Sequence, residues 1–143
     1  MTAATLRRRQ IGANPTVERI LVAEDSALVA MDIEMMLQEM GCEVIGPVAH
    51  LDDAVRLAGA EELDGAIVDV QLQGGSAFAV ADLLQERGIP FVFATGFTEN
   101  RFFTAPYDSA PRLQKPYDLD RVREAVASFA ERRRAHSDRG RPG

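Results

Sequence analysis

Lysine is almost absent from this sequence: of 16 basic side chains 15 are arginine, and the one lysine is Lys115. Cysteine is equally scarce. Cys42 stands alone, which excludes an intrachain disulfide and a cysteine-based zinc site and leaves the reading of a small buried hydrophobe. No window approaches the ~20 apolar residues of a membrane-spanning helix. The N-terminal MTAATLRRRQIGANPTVE has arginines but no apolar core, so it does not read as a secretory signal, and a cytoplasmic location is the expectation. There are no internal repeats. Basic charge is scarce in the body of the chain: residues 17–131 hold 8 basic and 21 acidic side chains, a net of −13 against −6 for the whole. So acidic a body is a poor partner for nucleic acid, and the short arginine-rich ends read as solvated tails.

What is present suits one domain: 143 residues, 46% of them hydrophobic, enough for a single core. The expected organisation is a disordered tail over 1–16, a domain over 17–134 and a second tail over 135–143. Arg19–Ala23 is an apolar run of the kind that forms a strand buried on both faces. Ser26 can cap a following helix that runs to about Met40 before Gly41. Val29, Ile33, Met36, Leu37 and Met40 make its core stripe. Leu28, Met31 and Met35 make a second stripe, read either as further core or as an adaptable docking face. Cys42–Ala49 is a second strand, bent or at an edge because of Gly46-Pro47. A short helix over Asp52–Ala60, a strand over 65–69, a helix over Ser76–Arg87, a strand over 89–94 and a short strand over 112–114 follow. Asp118 then caps a last helix to about Arg134. The stretch between Thr95 and Pro111 has room for about two turns of helix, around 99–104. His50 reads as an exposed loop side chain. Five strand–helix alternations predict a parallel α/β sandwich with right-handed crossovers.

Polar residues then fall at one edge. Glu24 and Asp25 follow the first strand, Asp69 ends the third, Thr95 follows the fourth and Lys115 the fifth. This carboxyl edge is where open α/β sheets take ligands. Three converging carboxylates repel one another and favour a divalent cation, and oxygen-only ligands suit Mg²⁺ (or Mn²⁺). An ammonium and a hydroxyl facing the same point complete a phosphoryl site, in which a carboxylate can serve as the nucleophile.

The order Glu24-Asp25, Asp69, Thr95, Lys115-Pro116 resembles the receiver domains of two-component response regulators over about 18–134. "DVQL", "IPFVFATGF" and "LQKPYD" are similar to the FATGUY-type single-domain regulators. The resemblance implies a flavodoxin-like, doubly wound five-stranded parallel sheet of order 2-1-3-4-5 with a short or irregular fourth helix. It implies Asp69 as phosphoacceptor and Mg²⁺ held by Asp25, Asp69 and the Gln71 backbone carbonyl, with Glu24 acting through water. Lys115 would pair with a phosphoryl oxygen, aimed by a cis peptide to Pro116, and Thr95 would sense the phosphoryl group. Gly96 would let the backbone approach it, and Phe97 would either pack or overhang the phosphate. Two positions depart from the family pattern: Gln73 stands at a customary proline, and Arg112 at a customary switch aromatic.

The implied function is that of a phosphoprotein in signal transduction or a phosphorelay, without metabolic activity of its own. Phosphorylation would be Mg²⁺-dependent and autodephosphorylation slow. A histidine kinase or phosphotransfer protein would dock on the first-helix face, and an output protein on the 96–117 face. A phosphorylation-independent binding module is the alternative. A haloacid-dehalogenase-type hydrolase fits poorly, because Gln71 stands two residues beyond Asp69, where that class has a second Asp.

Overall fold

Arg19–Ala23 (β1) sits inside a parallel sheet, away from its edges, because four of its five residues are apolar and buried. In the computed structural model, which describes residues 17–96, 103 and 106–139, the remaining strands are Glu43–Val48 (β2), Gly65–Asp69 (β3), Gln71–Leu72 (β4), Gly75–Ser76 (β5), Phe91–Thr95 (β6) and Arg112–Gln114 (β7). The helices are Ala27–Glu39 (α1), Leu51–Ala60 (α2), Phe78–Glu86 (α3) and Leu119–Arg139 (α4). The sheet order is β2-β1-β3-β6-β7, all parallel. β4 and β5 form a separate antiparallel ribbon. With that ribbon set aside, the order is the expected 2-1-3-4-5 of a flavodoxin-like sheet.

Alternate strand residues feed two cores, which is why the strands read as unbroken apolar runs. Leu21, Val68, Phe91 and Phe93 face Ala54, Val80 and Leu84 on the α2/α3 side. Ile20, Val22, Ile67 and Val92 face Ile33, Leu37, Val122 and Phe129 on the other, with α1 and α4. Gly65 is required by this second layer, because a Cβ there would stand 2.2 Å from Phe129 Cδ2. β2 is an edge strand whose register on β1 shifts between Leu21 and Ala23, beside the cis Gly46–Pro47 bond.

Local signals set the element ends. Ser26 caps α1, its side-chain oxygen accepting from the Val29 N–H at 3.4 Å. His50 is exposed as expected, and caps α2 by accepting from the Asp52 N–H at 3.1 Å. Two boundaries differ from the sequence reading. α3 begins at Phe78 and not at Ser76, because Gly75 and Ser76 pair with Leu72 and Gln71 in the ribbon. α4 runs to Arg139 and not to about Arg134: nothing in 135–139 breaks a helix before Gly140. Its later turns are held down by Arg133, which donates to the Asp64 carbonyl and pairs with Glu18 at 3.1 Å. The expected short helix around 99–104 lies outside the described residues except for Phe103, which is buried.

Candidate functional site

Strand register brings the site together. Ala23 lies beside Val68 and Asp69 beside Ala94, so the residues just past these positions share one edge of the sheet. Thr95 pairs with Gln114, and its carbonyl accepts from the Lys115 N–H at 2.8 Å. Glu24 leaves β1 with its N–H on the Val48 carbonyl at 2.8 Å. Four chain segments, distant in sequence, therefore deliver Glu24, Asp69, Thr95 and Lys115 to one place.

Glu24, Asp69 and Thr95 are buried there, while Asp25 is exposed. Lys115 Nζ reaches Asp69 Oδ2 at 2.8 Å and Glu24 Oε1 at 3.0 Å. The other Asp69 oxygen, Oδ1, accepts from the Gln71 N–H at 3.1 Å. Glu24 accepts from the Ser26 N–H at 3.0 Å and from the Tyr117 hydroxyl at 3.3 Å. Carboxylate oxygens of Glu24, Asp25 and Asp69 all lie within 4.8 Å of one another. The Lys115–Pro116 peptide is cis.

The electrostatics are those of too much negative charge in too little water. Burial, then the neighbouring Glu24, push the Asp69 carboxyl up to about 8, against the Lys115 ammonium that pulls it down; Asp25 adds to the rise. For Lys115, burial acts to lower its pKa, but the bonds to Asp69 and Glu24 outweigh it and the net is upward. One ammonium is thus shared by two buried acids, with Asp25 as a third carboxylate beside them. An all-oxygen set of this kind is a hard-cation donor set and fits a divalent ion such as Mg²⁺: a cation would relieve the repulsion that holds Asp69 protonated.

Thr95 and Lys115 also border a cavity of about 730 Å³ between β7 and α4, flanked by Arg121 and Glu124. Arg112 points away from the acids. Its guanidinium lies 3.8 Å from the Phe103 ring centroid and donates to the Asp108 carbonyl at 2.6 Å. Phe103 in turn packs with Phe78, Phe93 and, through Phe78, Tyr107, whose hydroxyl donates to Asp82 at 2.5 Å. Gly96 follows β6 and is half-buried. Phe97 lies outside the described residues. Leu28, Met31 and Met35 are 76%, 56% and 64% exposed, so the second α1 stripe is surface and not core. Tyr117 was missed by sequence reasoning, although its place two residues after Lys115, on the same edge, was a usable signal.

A parallel 2-1-3-4-5 sheet with acids at two strand ends, a hydroxyl at the next and a lysine at the last defines a receiver. The family model "response regulator receiver domain" matches residues 20–127, and the chain belongs to that family. It is 34% identical over 139 residues to the phyllosphere-induced regulator PhyR of Methylorubrum extorquens, which covers 90% of this chain and 51% of PhyR. It is 31% identical over 120 residues to the transcriptional regulatory protein PdtaR of Mycobacterium tuberculosis, covering 79% of this chain and 58% of that one. The chain spans about half the length of the curated relatives it matches. The solution structure of SdrG from Sphingomonas melonis Fr1 superposes with a TM-score of 0.72 at 35% identity, covering 82% of this chain and 99% of SdrG. Among the described residues no helix is long and apolar enough to cross a membrane.

Proposed function

We propose that this receiver accepts a phosphoryl group on Asp69 from a histidine kinase or histidine phosphotransfer protein and signals, or passes the phosphoryl group on, through protein contacts in the cytoplasm. The observation that carries the reading is the shared ammonium: Lys115 Nζ bridges Asp69 and Glu24 at 2.8 and 3.0 Å, inside a buried edge with surplus negative charge. Such a lysine is placed to follow an oxygen of a phosphorylated Asp69.

Glu24, Asp25, Asp69 and the Gln71 carbonyl are the groups that would hold Mg²⁺ (or Mn²⁺). When bound, that ion supplies charge neutralisation for the carboxylates and the incoming phosphoryl oxygens. Asp69 acts as nucleophile, held by Lys115 on one oxygen and by the Gln71 N–H on the other. Thr95 is buried at the end of β6, where its hydroxyl is available to a phosphoryl oxygen. The backbone at Gly96 carries no side chain to obstruct that approach. The phosphodonor docks on Leu28, Met31 and Met35 of α1, next to the site. An output partner engages the 96–117 face, where Arg112 replaces an aromatic residue.

The test is radiolabel transfer from candidate histidine kinases to the wild type and to Asp69→Ala, together with beryllofluoride and Mg²⁺ titration followed by NMR. Label on the wild type alone, with a beryllofluoride response, supports the proposal. Absence of both in the wild type returns the chain to a phosphorylation-independent binding module.

A further inference from the structure

The loop after Asp69 is tied to the far side of β1 by two main-chain hydrogen bonds, both made by Gln73. Its N–H donates to the Ala49 carbonyl at 3.1 Å, and its carbonyl accepts from the Leu51 N–H at 2.7 Å. Together they make a parallel bridge between Gln73 and His50. We infer that Gln73 is a positioning residue: through this tie it fixes the ribbon β4–β5 and so holds the Gln71 backbone in place beside the Asp69 carboxylate. The inference rests on the reading of Asp69 and Gln71 as part of a metal and phosphoryl site.

Gln71 is the residue that needs holding. It is exposed, belongs to a ribbon of only two residue pairs, and touches the site through one bond, from its N–H to Asp69 Oδ1 at 3.1 Å. A two-pair ribbon has no independent stability. Its outer end is anchored at three points. Gln73 is bonded to Ala49 and Leu51 as above. Leu72 is buried in the α2/α3 core. Gly74, at φ +100°, lies under the His50 ring, where a Cβ would come within 2.8 Å of Cε1. His50 is itself fixed as the cap of α2. The path from Asp69 to the first turn of α2 is continuous: Asp69 Oδ1, the Gln71 N–H, the ribbon, Gln73, then Ala49 and Leu51.

The residue type at 73 matters for a stated reason. A proline, customary there in the family this sequence resembles, has no N–H and would leave the Ala49 carbonyl without its donor. Glutamine keeps the donor. The side chain is not what ties the loop, so the effect of a substitution depends on whether it preserves the backbone amide.

Two substitutions each remove one bond of the tie. Gln73→Pro deletes the donor to Ala49. Leu51→Pro deletes the donor to Gln73 at the first residue of α2, where proline is well tolerated; the preceding His50 is already extended at φ −101°, ψ 140°. Gln73→Ala and Leu51→Ala keep both amides and serve as controls for the lost side chains. Binding of Mg²⁺ to the unphosphorylated full chain is measured by calorimetry, and exchange of the Gln71 amide in metal-free protein by NMR.

Each proline variant is expected to weaken Mg²⁺ binding about three- to tenfold, the worth of one net hydrogen bond, and to speed Gln71 exchange by a similar factor. The alanine variants stay within about twofold of the wild type on the same scale. Wild-type affinity and wild-type Gln71 exchange in whichever proline variants fold would overturn the inference. So would Gln73→Ala weakening Mg²⁺ as much as Gln73→Pro. If the wild type takes up no Mg²⁺ and Asp25→Asn behaves identically, the metal reading falls. Gln71 exchange then still decides whether Gln73 holds that segment against Asp69.

Discussion

Lys115 Nζ stands 2.8 Å from Asp69 Oδ2 and is shared with Glu24 Oε1 at 3.0 Å, so the phosphoacceptor candidate has only part of one cation. Both carboxylates are buried, and a buried charge without full compensation is strongly disfavoured. The consequence is a site that is tense without a ligand and relaxes when positive charge arrives.

That tension has a pH signature with a fixed sign. In the folded, metal-free chain the Asp69 carboxyl is pushed from an ordinary 3.8 up to about 8, by burial first and Glu24 second. Between those values the folded state holds a proton that the unfolded state has lost, so the slope of unfolding free energy with pH is negative. The Asp69 contribution is fully present below about 3.8 and is lost as pH rises through about 8. Melting temperatures of wild type minus Asp69→Asn, measured from pH 4 to 9 in a chelator, should fall with rising pH and level off above 8. Mg²⁺ competes with the same proton, so its affinity should climb over the same range. A flat difference curve would remove this account.

Asp25 gives a second, independent measure of the same repulsion. It is exposed, yet its carboxylate completes the cluster with Glu24 and Asp69, and it adds to the upward push on Asp69. Asp25→Asn should raise the melting temperature of metal-free protein by about 1–4 °C at pH 8. The same change should abolish the stabilisation that millimolar Mg²⁺ gives the wild type. A variant that melts lower than wild type without metal would mean that Asp25 is a structural partner and not a repelled one.

Away from the site, Gly65 packs against Phe129, the ring occupying the space of a side chain at 65. Phe129 is fully buried between β3 and α4. Gly65→Ala should destabilise by about 1–3 kcal/mol through overpacking. Phe129→Leu should recover part of that loss in the double variant, giving a non-additive cycle in urea denaturation. Additive effects would show that the ring moves aside freely.

How much of this was legible in the sequence follows from what each element depends on. β1, β3 and β7 were readable to the residue: β1 and β3 are buried apolar runs with a sharp polar end at Glu24 and at Asp69, and β7 is bounded by Pro111 and by Lys115-Pro116. The acids and the lysine were legible because parallel topology sends all such ends to one edge. The ribbon at 71–76 was not: two-residue strands carry no periodicity, and Gln73, between them, bonds to Ala49 and Leu51 more than twenty residues earlier. The last turns of α4 were missed because arginine-rich composition resembles a tail, whereas Arg133 has partners in the half-buried Glu18 and the buried Asp64. Exposure of Leu28, Met31 and Met35 was undecidable from spacing alone, since their stripe has a helical period whether or not another element covers it.

That stripe yields the most direct test of partner recognition. Met31 is 56% exposed on α1, and Leu28 and Met35 beside it are more exposed still. A contiguous apolar surface on a helix bordering the acidic site suits a helical donor better than solvent. Met31→Glu should leave stability within about 0.5 kcal/mol, because the side chain has no core to leave. It should slow phosphotransfer from a cognate histidine kinase by about tenfold or more, the scale of losing one central apolar contact. Phosphorylation by acetyl phosphate provides the control. That donor needs Asp69 and Lys115 but no docking surface, so its rate should match the wild type. If kinase transfer is also unchanged, the donor docks elsewhere on the chain. If both rates fall together, the substitution has reached the site through α1, whose cap at Ser26 donates its N–H to Glu24.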